Sequence, residues 1–188
     1  MRDLPRQERM STMLEAAKYS AMERLRDRRM VEIRALTPED ETGLLAAIDH
    51  TSSQSMYRRF FGAKREFSEK ERAFFLNVDF VNHVALVAVV KVAGAAEIAA
   101  GGRYIVERPG TAEIAFVVTD DYQGQGIGAA LLRHLALLAR NAGLKEFTAE
   151  VLPENIPMLK TFERSGLTMS TNRGSGAIHV ALQLVKPD

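Results

Sequence analysis

The chain has 188 residues, 46% of them hydrophobic and 26% charged, the proportions of one ordinary folded domain rather than of a disordered or two-domain chain. A formal net charge of +1 gives no broad electrostatic drive toward nucleic acid or a membrane surface. The absence of cysteine excludes a disulfide framework, thiolate metal ligands and a cysteine nucleophile.

The start, Met1-Arg2-Asp3-Leu4-Pro5, lacks the apolar stretch of a secretory signal. Residues 8–29 then read as one helix, because Met10, Met13, Leu14, Ala17, Ala21 and Leu25 recur at helical spacing. Its apolar face would dock on the domain or on a second copy in a homodimer; the other reading is a basic arm for a macromolecular partner. This divides the chain into an N-terminal helical extension, residues 1–30, and a main domain, residues 31–188. Val31 to Leu36 alternates like a strand. Thr37-Pro38-Glu39-Asp40 opens a helix to about Ile48, with Thr37 as N-cap and Asp40 as the box acid. A short helix follows over 52–61, ending at Gly62, and the capping box Ser68-Glu69-Lys70-Glu71 opens another through Leu76.

His83 to Val92, Glu97 to Val106 and Thr111 to Thr119 are three strands of an antiparallel meander. The most apolar run, Val84 to Val90, is too short to span a bilayer, and a cytoplasmic setting is expected. A helix from Ile127 to Ala142 is stopped by Gly143. Strand 146–152, helix 155–165 and strands near 167–171 and 177–185 complete an α+β pattern with one parallel βαβ crossover.

The chemistry concentrates between the third meander strand and the helix after it, at Gln123-Gly124-Gln125-Gly126-Ile127-Gly128. Glycines let backbone N–H groups converge without obstruction. A helix N-terminus adds unpaired donors and a dipole that favours negative charge, so a pyrophosphate fits without a lysine. Gly124, Gly126 and Ala129 formally match the dinucleotide fingerprint, with Glu150 ending the next strand. That fingerprint follows its strand at once, however, whereas here Thr119 to Gln123 intervene, and repeated βα units are missing. A P-loop fails because no Gly-Lys-Ser/Thr follows. A ligand-free glycine turn is the plainest alternative.

The loop resembles the Q/R-x-x-G-x-G/A signature of GNAT acyltransferases, matched at Gln123, Gly126 and Gly128. Asn155 to Leu167 resembles the family's second signature, an Asn opening a helix that ends in Gly-Phe. The likeness covers roughly residues 31–185. It implies a GNAT fold: a mixed, mostly antiparallel twisted sheet of about seven strands with helices on both faces. It also implies acetyl-CoA as acyl donor, no metal, and a cleft between strands 113–118 and 147–152. The backbone of Phe116, Val117 and Val118 would pair with pantetheine amides. The loop through Gln123, Gly124, Gln125, Gly126, Ile127, Gly128 and Ala129 would hold the pyrophosphate, and Asn155 would contact the cofactor arm while also serving as a helix N-cap.

Val31-Glu32-Ile33-Arg34, Tyr57-Arg58-Arg59-Phe60-Phe61-Gly62 and Ala112-Glu113-Ile114-Ala115 resemble more narrowly the acetyltransferase domain of Pat-type bacterial protein lysine acetyltransferases. The acceptor implied is a protein lysine, as on AMP-forming acyl-CoA synthetases, with small amines and a non-catalytic acyl-CoA-binding role as alternatives. The length leaves no expected room for the cyclic-nucleotide domain of larger Pat proteins. An ammonium must lose its proton before attacking a thioester, and Glu113, aligned with the Pat-type catalytic glutamate, is the expected base. Phe162 stands where many GNAT enzymes have a tyrosine to protonate the thiolate; Tyr104 and Tyr122 are weak substitutes. His50, His83, His134 and His179 show no metal-ligand spacing. Arg58 and Arg59 read as a solvated helix face, with the lip of the acceptor site as the other reading; Asp79, Asp120 and Asp121 read as ordinary loop acids, with attraction of a lysine-bearing substrate as the other.

Overall fold

The computed structural model describes residues 6–61 and 67–185, and the backbone alone at 6–9 and 11. An eight-stranded sheet runs in the order β1-β2-β3-β4-β5-β6-β8-β7. The strands are β1 (Ser20–Arg24), β2 (Met30–Ala35), β3 (His83–Val92), β4 (Ala95–Arg108), β5 (Thr111–Val118), β6 (Glu146–Val151), β7 (Thr168–Arg173) and β8 (Ile178–Gln183). Every neighbouring pair is antiparallel except β5 and β6. The expected GNAT-type α+β sheet is present, with one strand more than expected.

The period of each strand sets the layers. In β2, Val31, Ile33 and Ala35 are buried and alternate with partly exposed residues. In β3, eight consecutive residues from His83 to Val90 are buried, because this central strand is covered on both faces. On one face lies α5 (Ile127–Asn141), which buries Leu131, Leu132, Leu135 and Ala139 in the main core with Val84, Leu86, Tyr104, Ile114 and Phe116. On the other lie α2 (Glu41–Asp49), α3 (Ser53–Phe60) and α4 (Glu69–Leu76), where Leu36, Ala85, Val87 and Val89 form a smaller cluster. Gly102 is required by close approach: a Cβ there would meet Phe116 Cδ1 at 2.8 Å and Leu135 Cδ1 at 3.1 Å.

Both capping boxes form, but the one at Thr37 opens a 3-10 turn, Pro38–Asp40, that leads into α2, where a single helix from Pro38 was expected. Thr37 N donates to Asp40 Oδ2 at 2.8 Å, and the Asp40 carboxylate takes a two-pronged contact from Arg34 at 2.7 and 2.6 Å. Ser68 and Glu71 close the box that opens α4. α3 ends at Phe60, with Phe61 left-handed at φ 56°; the end expected at Gly62 lies outside the described residues.

The N-terminal segment requires a correction. The single helix expected over 8–29 is a helix α1 (Arg6–Ala17) followed by β1, which pairs Ser20 with Arg34 through Arg24 with Met30. A tight turn separates β1 from β2: Arg28 sits at φ 73°, Asp27 Oδ1 accepts from Arg29 N at 3.0 Å, and Leu25 N donates to Arg29 O at 2.8 Å. Met, Glu and Arg favour helix locally, but the open edge of β2 offers a ladder of backbone partners that outweighs a few tenths of a kcal/mol of propensity per residue. The face chosen by spacing is also wrong in part. Met10, Met13 and Leu14 are exposed, whereas Ala16 and Leu25 join the main core. Tyr19 hydrogen-bonds His134 on α5, and Glu23 pairs with Arg133 and His134 there, both at 3.0 Å.

Candidate active site

The sheet forks between β5 and β6. The two strands pair in parallel over three positions only, Thr111 with Glu146 through Glu113 with Thr148. β5 then runs on to Val118 against β4 alone, while β6 stays on β8 to Val151. Into the wedge α6 (Ile156–Glu163) sends Phe162, which is 1% exposed and lies 6.3 Å from the Phe116 ring. The resulting cleft encloses about 540 Å³. Beyond Glu113 the β6-side edge of β5 has no strand partner, so the backbone groups on that edge from Phe116 to Val118, apart from Val118 O, which accepts from Gln123, remain available to an extended ligand.

At one end of the cleft stands the glycine loop. Gly124 and Gly126 take left-handed conformations at φ 74° and 98°, which an L-side chain adopts only with strain. Gly126 is the N-cap of α5, and the first internal helical bond runs from Ala130 N to Gly126 O at 3.0 Å. The N–H groups of Ile127, Gly128 and Ala129 therefore have no helical acceptor, and all three residues line the cleft. A Cβ on Gly128 would make only ordinary contact with Val118 at 3.8 Å, so protein packing does not demand a glycine there.

The loop is braced by side chains. Gln123 Nε2 donates to Ser55 Oγ, Val118 O and Asp120 Oδ1 at 3.0, 3.1 and 3.0 Å, and Ser55 Oγ donates to Asp120 at 2.8 Å. Gln123 thus ties the loop to α3 while lining the cleft. Gln125 is the exception among the residues expected at the cofactor: it is absent from the cleft wall, donating to Asp121 O at 2.9 Å and accepting from Arg29 at 2.6 Å. Asn155 lines the cleft and caps α6, accepting from Met158 N at 3.4 Å, so both roles proposed for it are compatible.

Glu113 stands at the branch point. Its side chain lies on the α3 face of β5 with Ala115 and Val117. Desolvation raises its pKa, Glu107 and Glu150 raise it further, and Arg59 opposes them. Glu107 accepts from Thr148 Oγ1 at 3.2 Å, and Glu150 pairs with His179 at 3.2 Å. Tyr104 is buried on the opposite face against Phe147, its hydroxyl pKa raised by burial, and it does not reach the cleft. Tyr122 lines the cleft with Arg29 stacked 5.2 Å from its ring centroid.

Arg58 and Arg59 both line the cleft. The acids do other work. Asp79 Oδ1 accepts from the amides of Val81, Asn82 and His83 at 2.9, 2.8 and 2.7 Å, and Asp120 braces α3 as above. Among the described residues no cluster of His, Asp and Glu could hold a metal, and no helix is long and apolar enough to cross a membrane.

Arg26 is a cleft residue that sequence reasoning missed. From the β1–β2 turn it reaches the glycine loop, donating to Gly124 O at 3.4 Å, and its Nε lies 3.9 Å from where a Gly126 Cβ would be. The run Arg24-Leu25-Arg26-Asp27-Arg28-Arg29 carried the signal, since Asp followed by two basic residues suits a turn as well as a helix.

A forked sheet with the free amides of a helix start at one end of the cleft suits an extended ligand that ends in phosphate. The chain belongs to the Acetyltransferase (GNAT) family, which it matches over residues 48–167, and members of this family are acyl-CoA-dependent N-acyltransferases that use acetyl-CoA. It is 32% identical over 136 residues to acetyltransferase Pat of Mycolicibacterium smegmatis, covering 71% of this chain and 40% of that protein. It is 33% identical over 126 residues to acetyltransferase PA5475 of Pseudomonas aeruginosa, covering 66% and 68%. The crystal structure of the GNAT domain of S. lividans PAT superposes with a TM-score of 0.79 at 34% identity, covering 87% of this chain and 96% of that one. The chain thus spans nearly all of an isolated Pat GNAT domain but less than half the length of the mycobacterial Pat.

Proposed function

We propose that this chain transfers acetyl from acetyl-CoA to the side-chain amine of a protein lysine in the cytoplasm, with Glu113 as general base. The observation that carries the reading is the placement of Glu113 where β5 and β6 part, in a cleft whose far end is the free N-terminus of α5. The unpaired N–H groups of Ile127, Gly128 and Ala129, the clearance at Gly128 and the nearby Arg26 suit a pyrophosphate. The open edge of β5 suits the amides of a pantetheine arm. Acetyl-CoA held this way would supply a thioester carbonyl at the fork.

The residues of the chain then have defined tasks. Glu113 takes a proton from the incoming ammonium, directly or through one water, and so frees the lone pair that attacks. Burial first, and then Glu107 and Glu150, raise the Glu113 pKa, which makes its carboxylate a better proton acceptor. Phe162 excludes water from the fork but donates no proton, so the departing thiolate leaves as an anion and is protonated from solvent. The acids Glu107, Glu113 and Glu150 favour a cationic acceptor at this end. The Pat-like stretches and the likeness to Pat proteins support a lysine on a protein, with AMP-forming acyl-CoA synthetases as the acceptors to try first.

The test is acetyl transfer from radiolabelled acetyl-CoA to purified AMP-forming acyl-CoA synthetases and, in parallel, to a panel of polyamines, amino acids and aminoglycosides. Labelling confined to lysines of the synthetases is expected. Turnover confined to small amines would overturn the lysine reading. Donor binding without any transfer would overturn the catalytic one.

A further inference from the structure

On the α2–α4 face of the sheet a second cavity, of about 90 Å³, sits beside the cleft. Its wall is apolar, built from Leu44, Ile48, Phe67, Phe75 and Ile98 among others, yet it holds the side chains of Arg59, Arg72 and Arg103. Among the described residues none of the three makes an ion pair with a carboxylate within 4.0 Å. Glu41, the acid on this wall, is exposed and pairs with none of them.

Removing a guanidinium from water is costly, and buried charges are ordinarily paired. Here two lie close enough to repel. Desolvation and the charge of Arg59 lower the pKa of Arg103 to about 9, so Arg103 stays cationic at neutral pH. Their observed partners are uncharged. Arg59 stacks 4.9 Å from the Phe60 centroid and Arg103 4.6 Å from that of Phe75, within cation–π range. Arg103 Nη1 lies 3.1 Å from His83 Nε2, and burial and Arg103 depress the His83 pKa to about 4, which keeps that ring neutral and accepting. Arg72 Nε is buried with no hydrogen-bond partner among the described residues. Cation–π stacking holds the forks in place; among the described residues the Glu113 carboxylate is the acid whose charge acts on Arg59, and none acts on Arg103.

The cavity adjoins the reaction site. Arg59, Phe60, Ala115 and Val117 border both the cavity and the cleft. In the β4–β5 register Arg103 is opposite Ala115 and Ile105 is opposite Glu113. Arg103 and Glu113 are therefore diagonal neighbours on one face, with backbones about 7–8 Å apart. We propose that this arginine–aromatic cavity is an acceptor subsite that takes a carboxylate on a short aliphatic stem, held by Arg103 and Arg59 while the acceptor's amine faces Glu113. The planar forks suit a carboxylate, which can bind two N–H groups at once, and the apolar wall suits its methylenes. The carboxylate belongs either to an acidic side chain flanking the acceptor lysine or to a free amino acid. The subsite rests on the reading of the cleft as an acetyl-transfer site, but its binding can be measured without transfer.

The experiment compares matched acceptors in the full chain: lysine against cadaverine, and a lysine peptide with a neighbouring Glu against the same peptide with Gln. In either arm or both, the carboxylated member is expected to show kcat/KM at least about tenfold higher. In Arg103→Met that preference should vanish while the neutral member changes by less than about twofold, and Arg103→Lys should keep only part of it. The arm showing the preference names the source of the carboxylate. Equal use of both members in both arms, or an equal loss for both in Arg103→Met, overturns the proposal. Calorimetry with propionate reads the subsite alone. Binding by the native chain that Arg103→Met abolishes sustains it even if no acceptor is acetylated, in which case the transfer reading fails and the subsite stands; absence of propionate binding overturns it.

Discussion

The two ends of the main cleft are built from different materials. At the α5 end the groups that would meet a ligand are backbone amides of Ile127, Gly128 and Ala129, fixed by helix geometry and by left-handed turns at Gly124 and Gly126. At the fork the group proposed to act is one carboxylate, Glu113, whose character depends on burial and on Glu107, Arg59 and Glu150 around it. The first end is a scaffold property, hard to abolish with one side-chain change and easy to abolish by changing the chain path. The second is an electrostatic property, open to single substitutions. The prediction of this contrast is that binding and chemistry come apart on mutation.

The largest separation should come from Glu113→Gln, which removes the proton acceptor and preserves shape. We expect kcat to fall about 10²-fold or more at neutral pH, with acetyl-CoA affinity by calorimetry unchanged. A variant with full turnover would remove Glu113 from the mechanism. Arg26→Ala tests the opposite end. It takes away one exposed cation beside the glycine loop, so acetyl-CoA Kd should rise about fivefold, close to 1 kcal/mol, with kcat at saturation unaltered. The deficit should shrink in added salt, because the contact is solvent-exposed. An unchanged Kd at low salt would confine Arg26 to bracing Gly124.

How much of this was legible in the sequence follows from whether each feature is local. The glycine loop, the α5 start and the capping boxes at Thr37 and Ser68 are contiguous patterns whose geometry follows from a few residues, and they stand where expected. The hairpin of β1 and β2 is not local in that sense. Ser20 to Arg24 became a strand because β2 had an open edge, and Arg26 reached the loop only as a consequence. The arginine cavity is more remote still. Arg59 and Arg103 meet because α3 packs on β5 and because Arg103 falls opposite Ala115 in the β4–β5 register, neither of which a spacing of 44 positions reveals. The acids show the converse case. Asp79 left two readings open, a loop acid and a lure for a cationic substrate; it accepts from three following amides, so the plainer one fits, a turn role written in its immediate neighbours.

The finest test of the contrast leaves both the backbone scaffold and Glu113 in place and changes only the charge around the base. Burial, Glu107 and Glu150 raise the Glu113 pKa and Arg59 lowers it. The base works when deprotonated, so turnover rises as pH passes upward through that pKa, and the acid limb of kcat/KM reports it. Glu150→Gln removes one neighbouring negative charge, which makes the Glu113 carboxylate easier to form, and the limb should move to lower pH. On the plateau above the limb, where Glu113 is ionised in both proteins, kcat should agree within about twofold, and acetyl-CoA affinity should not move. A limb that shifts upward would mean that Glu150 acts on Glu113 through its pairing with His179 rather than through its own charge. A plateau that falls with the limb fixed would mean that Glu150 positions the acceptor amine, and the acidic end of the cleft would then be a binding device as well as a tuned base.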